Sequence, residues 1–241
     1  MENEDLLISI IIVTYNVEDI IDNCINSVTK NTFKNYELII IDGASNDGTI
    51  LKIKKHGKRI NYFISEKDNG IYDAMSKGTA IASGKFILFL GADDQLLINI
   101  QELSNILVDE KTIYYGNVVL SPSNKIYGGN FNKAKLINRN ICHQSIFYPK
   151  KVFKDFEFNK DYKYMADYAM NLQLWSSNKY KFVYLNRIIA AYSIAGISSS
   201  VIDTEFKKDS FKLIYRCFGV YGLLIKLSNK FRNLLENKNI K

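Results

Sequence analysis

Two hydrophobic periodicities alternate through the first half of the chain, and that alternation restricts the fold more than any other feature. Ile8 to Val13 is a run dominated by β-branched residues, the pattern of a strand covered on both faces. Asn16 stands where it can cap a helix whose apolar face is Val17, Ile20, Ile21, Cys24, Ile25 and Val28. A second buried strand is expected from Tyr36 to Ile41. Asn46 or Asp47 then caps a short lysine-rich helix, and Ile60 to Ile64 reads as a third strand. Ile71, Ala74, Met75 and Ile81 recur at helical spacing, Gly84 is expected to end that helix in a left-handed cap, and Phe86 to Leu90 forms a fourth strand. The order βαβαβαβ predicts an α/β fold, a Rossmann-like, mostly parallel sheet flanked by helices.

The second half is less regular. Strands are expected at Ile113 to Leu120, Ser145 to Tyr148 and Phe182 to Tyr192, with a helix around Tyr168 to Ser176 and a turn at Gly128-Gly129. From about Glu205 the chain becomes helical, basic and aromatic. This divides it into a main unit, residues 1–204, made of halves 1–95 and 96–204, and a C-terminal helical extension, residues 205–241.

With 47% hydrophobic and 24% charged residues in 241, the chain can bury a core without metal or crosslink. Its three cysteines, Cys24, Cys142 and Cys217, are widely spaced and form no CxxC pair, which fits a reducing compartment. Having only two histidines, His56 and His143, excludes a multi-histidine zinc site and leaves no recognisable nucleophile triad. The acidic start MENEDLL is the opposite of a signal peptide, and no apolar stretch approaches the roughly 20 residues that span a bilayer. A cytoplasmic protein, soluble or peripheral on the inner face of the plasma membrane, is expected. The formal charge of +7 suits nucleic acid, an anionic membrane face or a phosphorylated substrate. Scattered lysines without an aromatic-basic groove argue against nucleic acid.

An open parallel sheet binds ligands outside the carboxyl ends of its strands. Those ends carry Thr14-Tyr15-Asn16, then DGASNDGT from Asp42 to Thr49, then SEKDNGIYDA from Ser65 to Ala74, then Gly91-Ala92-Asp93-Asp94. Clustered carboxylates repel one another unless a cation or donors neutralise them, so a divalent metal is the economical explanation. Neither GxGxxG nor GxxxxGK[ST] is present, so phosphates are expected to be held through Mg²⁺ or Mn²⁺ on aspartate oxygens.

TYN after the first strand, DGxSxDGT after the second, ExDxGxYDAxxKG after the third and the Asp pair after the fourth together resemble a family 2 glycosyltransferase of the GT-A type. The resemblance extends over residues 8–195, and its nearest flavour is the small bacterial enzymes of surface polysaccharide assembly. It implies inverting transfer of a sugar from a nucleoside diphosphate sugar, a UDP-sugar by preference, to an acceptor hydroxyl of a saccharide, with Mn²⁺ or Mg²⁺ on the diphosphate. Capsule, O-antigen or exopolysaccharide assembly on a lipid-linked acceptor is the implied setting.

By the same resemblance Thr14, Tyr15 and Asn16 border the nucleotide, and Asp42 meets the base. Glu66, Asp68, Gly70, Tyr72, Asp73 and Lys77 line the donor pocket. Lys77 can equally be a helix-surface partner of Asp73. Asp93 and Asp94 form the metal motif, one on the cation and the other on the ribose or a water. His143 and Gln144 match a pair beside the diphosphate and acceptor. Asp167 matches the general base, which can also cap the helix that follows. Three positions depart from the family pattern: Ser76 for Asn, Gly91 for an acid and Ala166 for Glu.

At the C-terminus Val220, Leu223, Leu224, Leu227, Phe231, Leu234 and Leu235 recur at helical spacing beside Lys226, Lys230 and Arg232. Such a segment lies in a membrane interface, or packs on the catalytic unit or on a second subunit of a homo-oligomer. Two rival functions share parts of the pattern: a sugar-phosphate nucleotidyltransferase, which wants a Gly-rich basic loop after strand one, and a non-catalytic carbohydrate- or nucleic-acid-binding module.

Overall fold

A computed structural model describes residues 6–31, 33–194 and 201–238, with side chains to residue 232. Strands β1 (Ile8–Thr14), β2 (Tyr36–Asp42), β3 (Tyr62–Ser65) and β4 (Phe86–Gly91) are parallel, in the order β3-β2-β1-β4. Between them run helices α1 (Ile21–Thr29), α2 (Thr49–Lys55) and α3 (Ile71–Ile81). Successive strand side chains point to opposite faces, so the isoleucine-rich runs feed two cores. Ile10, Ile12, Leu38 and Ile40 pack with Ile21, Cys24 and Ile25 of α1, whereas Ile11, Ile39, Ile41 and Phe89 pack with Ala74 and Met75 of α3.

The remaining strands are β5 (Gln95–Leu96), β6 (Thr112–Ser121), β7 (Lys125–Tyr127), β8 (Ile146–Pro149) and β9 (Lys181–Ser193). They extend the sheet as β4-β8-β6-β9-β5, with β7 paired to β6. Here β8 runs antiparallel to both β4 and β6, and β9 runs parallel to β6. Helices α4 (Lys133–Asn138), α5 (Val152–Asp155), α6 (Ala166–Ser177) and α7 (Thr204–Lys238) complete the chain. The result is a mixed α/β sheet, mostly parallel in its first half and flanked by helices, as the alternating periodicities predict. Among the described residues no helix is long and apolar enough to cross a membrane.

Four local expectations are corrected. Asn16 does not cap α1: the helix starts after Ile20 without a side-chain cap, and Asn16 adopts φ 50° while its side chain reaches the next loop. Strand β3 begins two residues later than expected, because Gly57–Arg59 form a 3₁₀ turn closed by Ile60 N donating to Gly57 O. Asp47 acts one position ahead of the helix cap, its Oδ1 accepting from Thr49 N at 2.9 Å. Gly84 is not left-handed, since α3 already ends at Ala82.

Gly84 is required by space. A Cβ there would stand 2.5 Å from Ser9 N and 2.7 Å from Ile8 C, both backbone atoms that cannot swing away. Its N–H donates to Ser9 Oγ at 2.8 Å and to Glu37 Oε1 at 3.2 Å, which closes the amino-terminal edge of the parallel sheet around one buried carboxylate. Gly84→Ala is expected to destabilise the fold by about 1–3 kcal/mol, the range for forcing extra volume into a packed site. Urea denaturation reads this, and an unchanged midpoint would show that the β1 edge moves freely.

Candidate functional site

Parallel register fixes the site before any side chain is considered. Thr14 pairs with Asp42, Asp42 with Ser65, and Val13 with Gly91, so the carboxyl ends of β1 to β4 terminate in one row. Asp42 lies in that row fully buried. Its Oδ1 accepts from Thr14 Oγ1 at 2.9 Å and Ser45 Oγ at 2.5 Å, and its Oδ2 from Ser45 N at 2.9 Å and Ser65 Oγ at 2.6 Å. A carboxylate has about four acceptor positions, and this chain's own donors meet them all. Asp42 therefore ties three loops together.

The first two loops are zipped directly. Asn16 N donates to Ser45 Oγ, Asn46 N to Asn16 Oδ1 and Val17 N to Thr49 Oγ1, each at 2.8–2.9 Å. Tyr15 stands out from this seam with 63% of its surface exposed.

In the third loop, Asp68 Oδ1 accepts from Gly70 N at 2.9 Å, and Asp68 Oδ2 lies so close over Gly43 that a Cβ there would be 2.6 Å away. Gly70 adopts φ 109°, which favours glycine. Lys77 donates to Glu66 Oε1 at 2.7 Å and to Lys67 O at 2.9 Å, and its distance to Asp73 is 4.0 Å. Hydrogen bonding to Glu66 raises its pKa, so it clamps its own loop. Asp73 accepts from Lys160 at 2.7 Å and from Asn69 N at 3.1 Å, which links that loop to the segment before α6.

At the end of β4 the two acids divide. Asp94 is 1% exposed, with Oδ2 accepting from Gly91 N at 3.0 Å and Gln144 Nε2 at 2.8 Å, and Oδ1 from Ser193 N at 3.0 Å. Burial, reinforced by the neighbouring Asp93 charge, pushes its pKa up to about 6. Asp93 is half-buried and accepts no hydrogen bond from any described residue. Of the pair, Asp93 is the one open to a cation. Gly91 leaves room for both, since a Cβ there would come within 2.7 Å of Asp94 Oδ2 and 2.9 Å of Asp93 Oδ1.

Asp167 sits in the first turn of α6, 5% exposed, and the helix cap position belongs to Met165. Its Oδ1 accepts from Tyr72 OH at 2.8 Å, and its Oδ2 from Asn140 Nδ2 at 2.8 Å. His143 Nδ1 lies 3.2 Å from the same Oδ2. Burial, then the adjacent Asp167 charge, raises the Tyr72 phenol pKa well above its ordinary value and keeps it a donor. Burial works against a charged His143, but Asp167, with Asp94 and Asp93, outweighs it and raises the imidazole pKa. Behind Asp167 a buried relay continues: Asn171 Nδ2 donates to Asn140 Oδ1 at 3.0 Å, and Tyr148 OH to Asn171 Oδ1 at 2.8 Å.

Adjacent residues thus join the two ends of the site, His143 facing Asp167 and Gln144 holding Asp94. This arrangement can hold a diphosphate at the strand ends beside a carboxylate able to take a proton.

Residues 9–171, more than half of the chain, match the family described as Glycosyl transferase family 2. The chain is a family 2 glycosyltransferase. It is 33% identical over 214 residues to a PGL/p-HBAD biosynthesis glycosyltransferase of Mycobacterium tuberculosis, covering 84% of this chain and 83% of the relative. Over 215 residues it is 29% identical to the Escherichia coli UDP-Glc:alpha-D-GlcNAc-diphosphoundecaprenol beta-1,3-glucosyltransferase WfgD, covering 85% of this chain and 83% of that one. Among solved structures, S. aureus TarS 1-349 in complex with UDP-GlcNAc superposes with a TM-score of 0.71 at 18% identity, covering 91% of this chain and 70% of that chain. The glycosyltransferase spans 42% of the longer TarS structure. A mannosyltransferase from Pyrobaculum calidifontis, in complex with GDP-Man and Mn2+, gives 0.63 at 13% identity, covering 92% of this chain and 73% of that chain.

Sequence reasoning quoted Ser45 and Ser65 in their motifs without giving them a role, and missed the glycosyltransferase's other supporting donors: Asn140, Asn171 and the Ser193 amide. Asn171 carried a readable signal, standing four residues after Asp167 and so on the same helix face. The Ser193 amide carried none, because a backbone donor 99 residues from Asp94 leaves no trace in composition.

The raised pKa of Asp94 fixes the sign of a pH effect. Between the ordinary value of 3.8 and about 6, the native state holds a proton that the unfolded chain has lost, so stability falls as pH rises through that window. Asp94→Asn is expected to flatten stability between those limits, measured as denaturation midpoints across pH. A slope identical to the parent would place the titration elsewhere.

Proposed function

We propose that this glycosyltransferase moves a sugar from a nucleoside diphosphate sugar, a UDP-sugar by preference, to a saccharide hydroxyl on a lipid-linked acceptor, with inversion, in bacterial surface polysaccharide assembly. The observation that carries this reading is the His143-Gln144 link between Asp94 at the strand ends and Asp167 in the other half. Support comes from the relatives: WfgD is named for UDP-Glc and a diphosphoundecaprenol acceptor, and TarS was solved with UDP-GlcNAc. Residues 1–95 supply the donor half, residues 96–204 the acceptor half, and residues 205–241 an appended segment.

The donor lies over the row of strand ends, with its base against exposed Tyr15 and the Thr14–Asn16 seam, and Asp68 beside it. Asp167 takes the acceptor hydroxyl proton as that oxygen bonds to the anomeric carbon and the bond to the diphosphate breaks. Three of its acceptor positions are filled by Tyr72, Asn140 and His143, which leaves about one for the acceptor hydroxyl. Tyr72 and Asn140 are positioning residues that fix both carboxylate oxygens.

The residues also fit a divalent cation shared with the substrate. Asp93 has an uncommitted carboxylate, yet among the described residues no three His, Cys, Asp or Glu side chains are grouped to hold a metal. A cation such as Mn²⁺ or Mg²⁺ is bound by one or two carboxylates plus phosphates, and when present it neutralises the diphosphate leaving group. Asp93 would hold it, with Asp94 positioning the loop.

Two experiments test this. Calorimetric titration with UDP is expected to show binding strengthened by Mn²⁺, an effect lost on Asp93→Ala; binding indifferent to both would remove the cation role. In a UDP-release assay Asp167→Asn is expected to lower kcat by roughly 100-fold or more with nucleotide binding retained, the range for loss of a general base. Tyr72→Phe is expected to lower kcat by about tenfold with donor KM unchanged, since only one hydrogen bond to the base is lost. Full transfer by Asp167→Asn would take the base role from that residue.

A further inference from the structure

Helix α7 carries two apolar faces, and the protein covers one of them. Asp203 anchors its start, with Oδ2 accepting from Tyr164 N at 2.8 Å and Met165 N at 3.1 Å, and Oδ1 from Phe206 N at 3.1 Å. Leu213 and Ile214 are buried, and Phe218, Leu223 and Ile225 pack partly on the core. Gly219, at φ 61° and ψ −154°, then breaks the helix, so the segment after it is a separate rod. Lys226 Nζ fastens that rod by donating to Ile137 O of α4 at 3.3 Å.

On its outer face Val220, Leu224, Leu227 and Phe231 are 63%, 62%, 50% and 65% exposed, at spacings of four, three and four residues. Tyr221 joins them at 57%. The stripe of the sequence reading is thus divided: Leu223 turns inward, these residues turn outward, and the side chains of Leu234 and Leu235 lie outside the described residues. A contiguous exposed apolar stripe over three helical turns marks an interaction surface.

We propose that this outer face docks on an anionic phospholipid bilayer. Charge selects that occupant. From Gly219 to Lys238 the rod contains Lys226, Lys230, Arg232 and Lys238 against one acid, Glu236, a surplus of three positive charges. Lys133, from α4, adds a further cation 5.8 Å from the Tyr221 ring. A second copy seated symmetrically on the stripe would bring two such surpluses of positive charge together, with one carboxylate per rod to pair them. An anionic surface is met by the exposed Lys133, Lys230 and Arg232, each contributing on the order of 1 kcal/mol beyond the apolar insertion, while Lys226 is committed to α4.

The docking face is coupled to the acceptor side of the site. Asp203 holds Tyr164 and Met165, which immediately precede the α6 turn containing Asp167, and the rod grips α4, which leads into Asn140 and His143. A bilayer under the rod would therefore present a lipid-linked hydroxyl to that half, a purpose that rests on the proposed function; the docking itself does not.

The test is flotation of the full-length protein with vesicles of phosphatidylglycerol and phosphatidylcholine, and with phosphatidylcholine alone. Binding is expected on the mixed vesicles at low salt, weak on the neutral ones, and released at about 0.5 M salt, where charge attraction is screened. The double variant Leu224→Glu, Phe231→Glu changes only exposed side chains; it is expected to lose at least roughly tenfold in vesicle affinity while keeping the parent melting temperature and UDP binding. Lys230→Glu with Arg232→Glu gives a second reading, expected to lower binding to mixed vesicles without altering the fold. The proposal is overturned if the parent ignores anionic vesicles at low salt, binds neutral ones equally, or loses nothing in either variant. It is also overturned if sedimentation shows a dimer that the apolar variant dissolves in the absence of vesicle binding. Vesicle binding without sugar transfer would keep the docking face and remove the proposed acceptor.

Discussion

Asp94 stands at the end of β4 with 1% of its surface reachable by water, where an ionised carboxylate is stable only if the protein supplies donors in place of solvent. The donors come from three separated segments, Gly91 at the strand end, Gln144 in the turn before β8 and Ser193 at the end of β9. No local structure could provide them together. The antiparallel insertion of β8 beside β4, and the return of β9 alongside β6, are what bring them to one carboxylate. Once this junction is made, His143 is delivered to Asp167.

The acids at this site differ in how many of their acceptor positions the chain itself fills. Asp42 accepts four hydrogen bonds and Asp94 three, all from within the chain, and each draws together segments far apart in sequence. Saturation makes them fasteners. Asp93, next to Asp94 in sequence, has no donor among the described residues, and Asp167 keeps about one acceptor position free. Side chains of one chemical type thus end saturated or open according to how many donors the fold aims at them.

Helix α7 applies the same accounting to apolar surface. Its inner face is spent on the core, while Val220, Leu224, Leu227 and Phe231 keep theirs in water. The Gly219 break allows the two parts of the helix to differ in direction, so that one segment completes the catalytic unit and the next presents a face of its own.

The parallel half was legible in the sequence because a strand covered on both faces needs an unbroken apolar run, and the runs from Ile8, Tyr36 and Phe86 have no other use. The row of acids was legible for a related reason: parallel strands of known order must end on one edge, so the residues after each run are neighbours however far apart in the chain. What the sequence could not assign was the state of each acid. Asp93 and Asp94 are identical in type and adjacent, and only the arrival of Gln144 and the Ser193 amide closes one and leaves the other open. Asn16 and Gly84 were misjudged for the complementary reason. A residue's local preference is the same whether it caps a helix, ties a loop or merely yields space to a neighbouring strand. Hydrogen bonding and close approach between segments distant in sequence decide among those uses, and they exist only once the chain has folded.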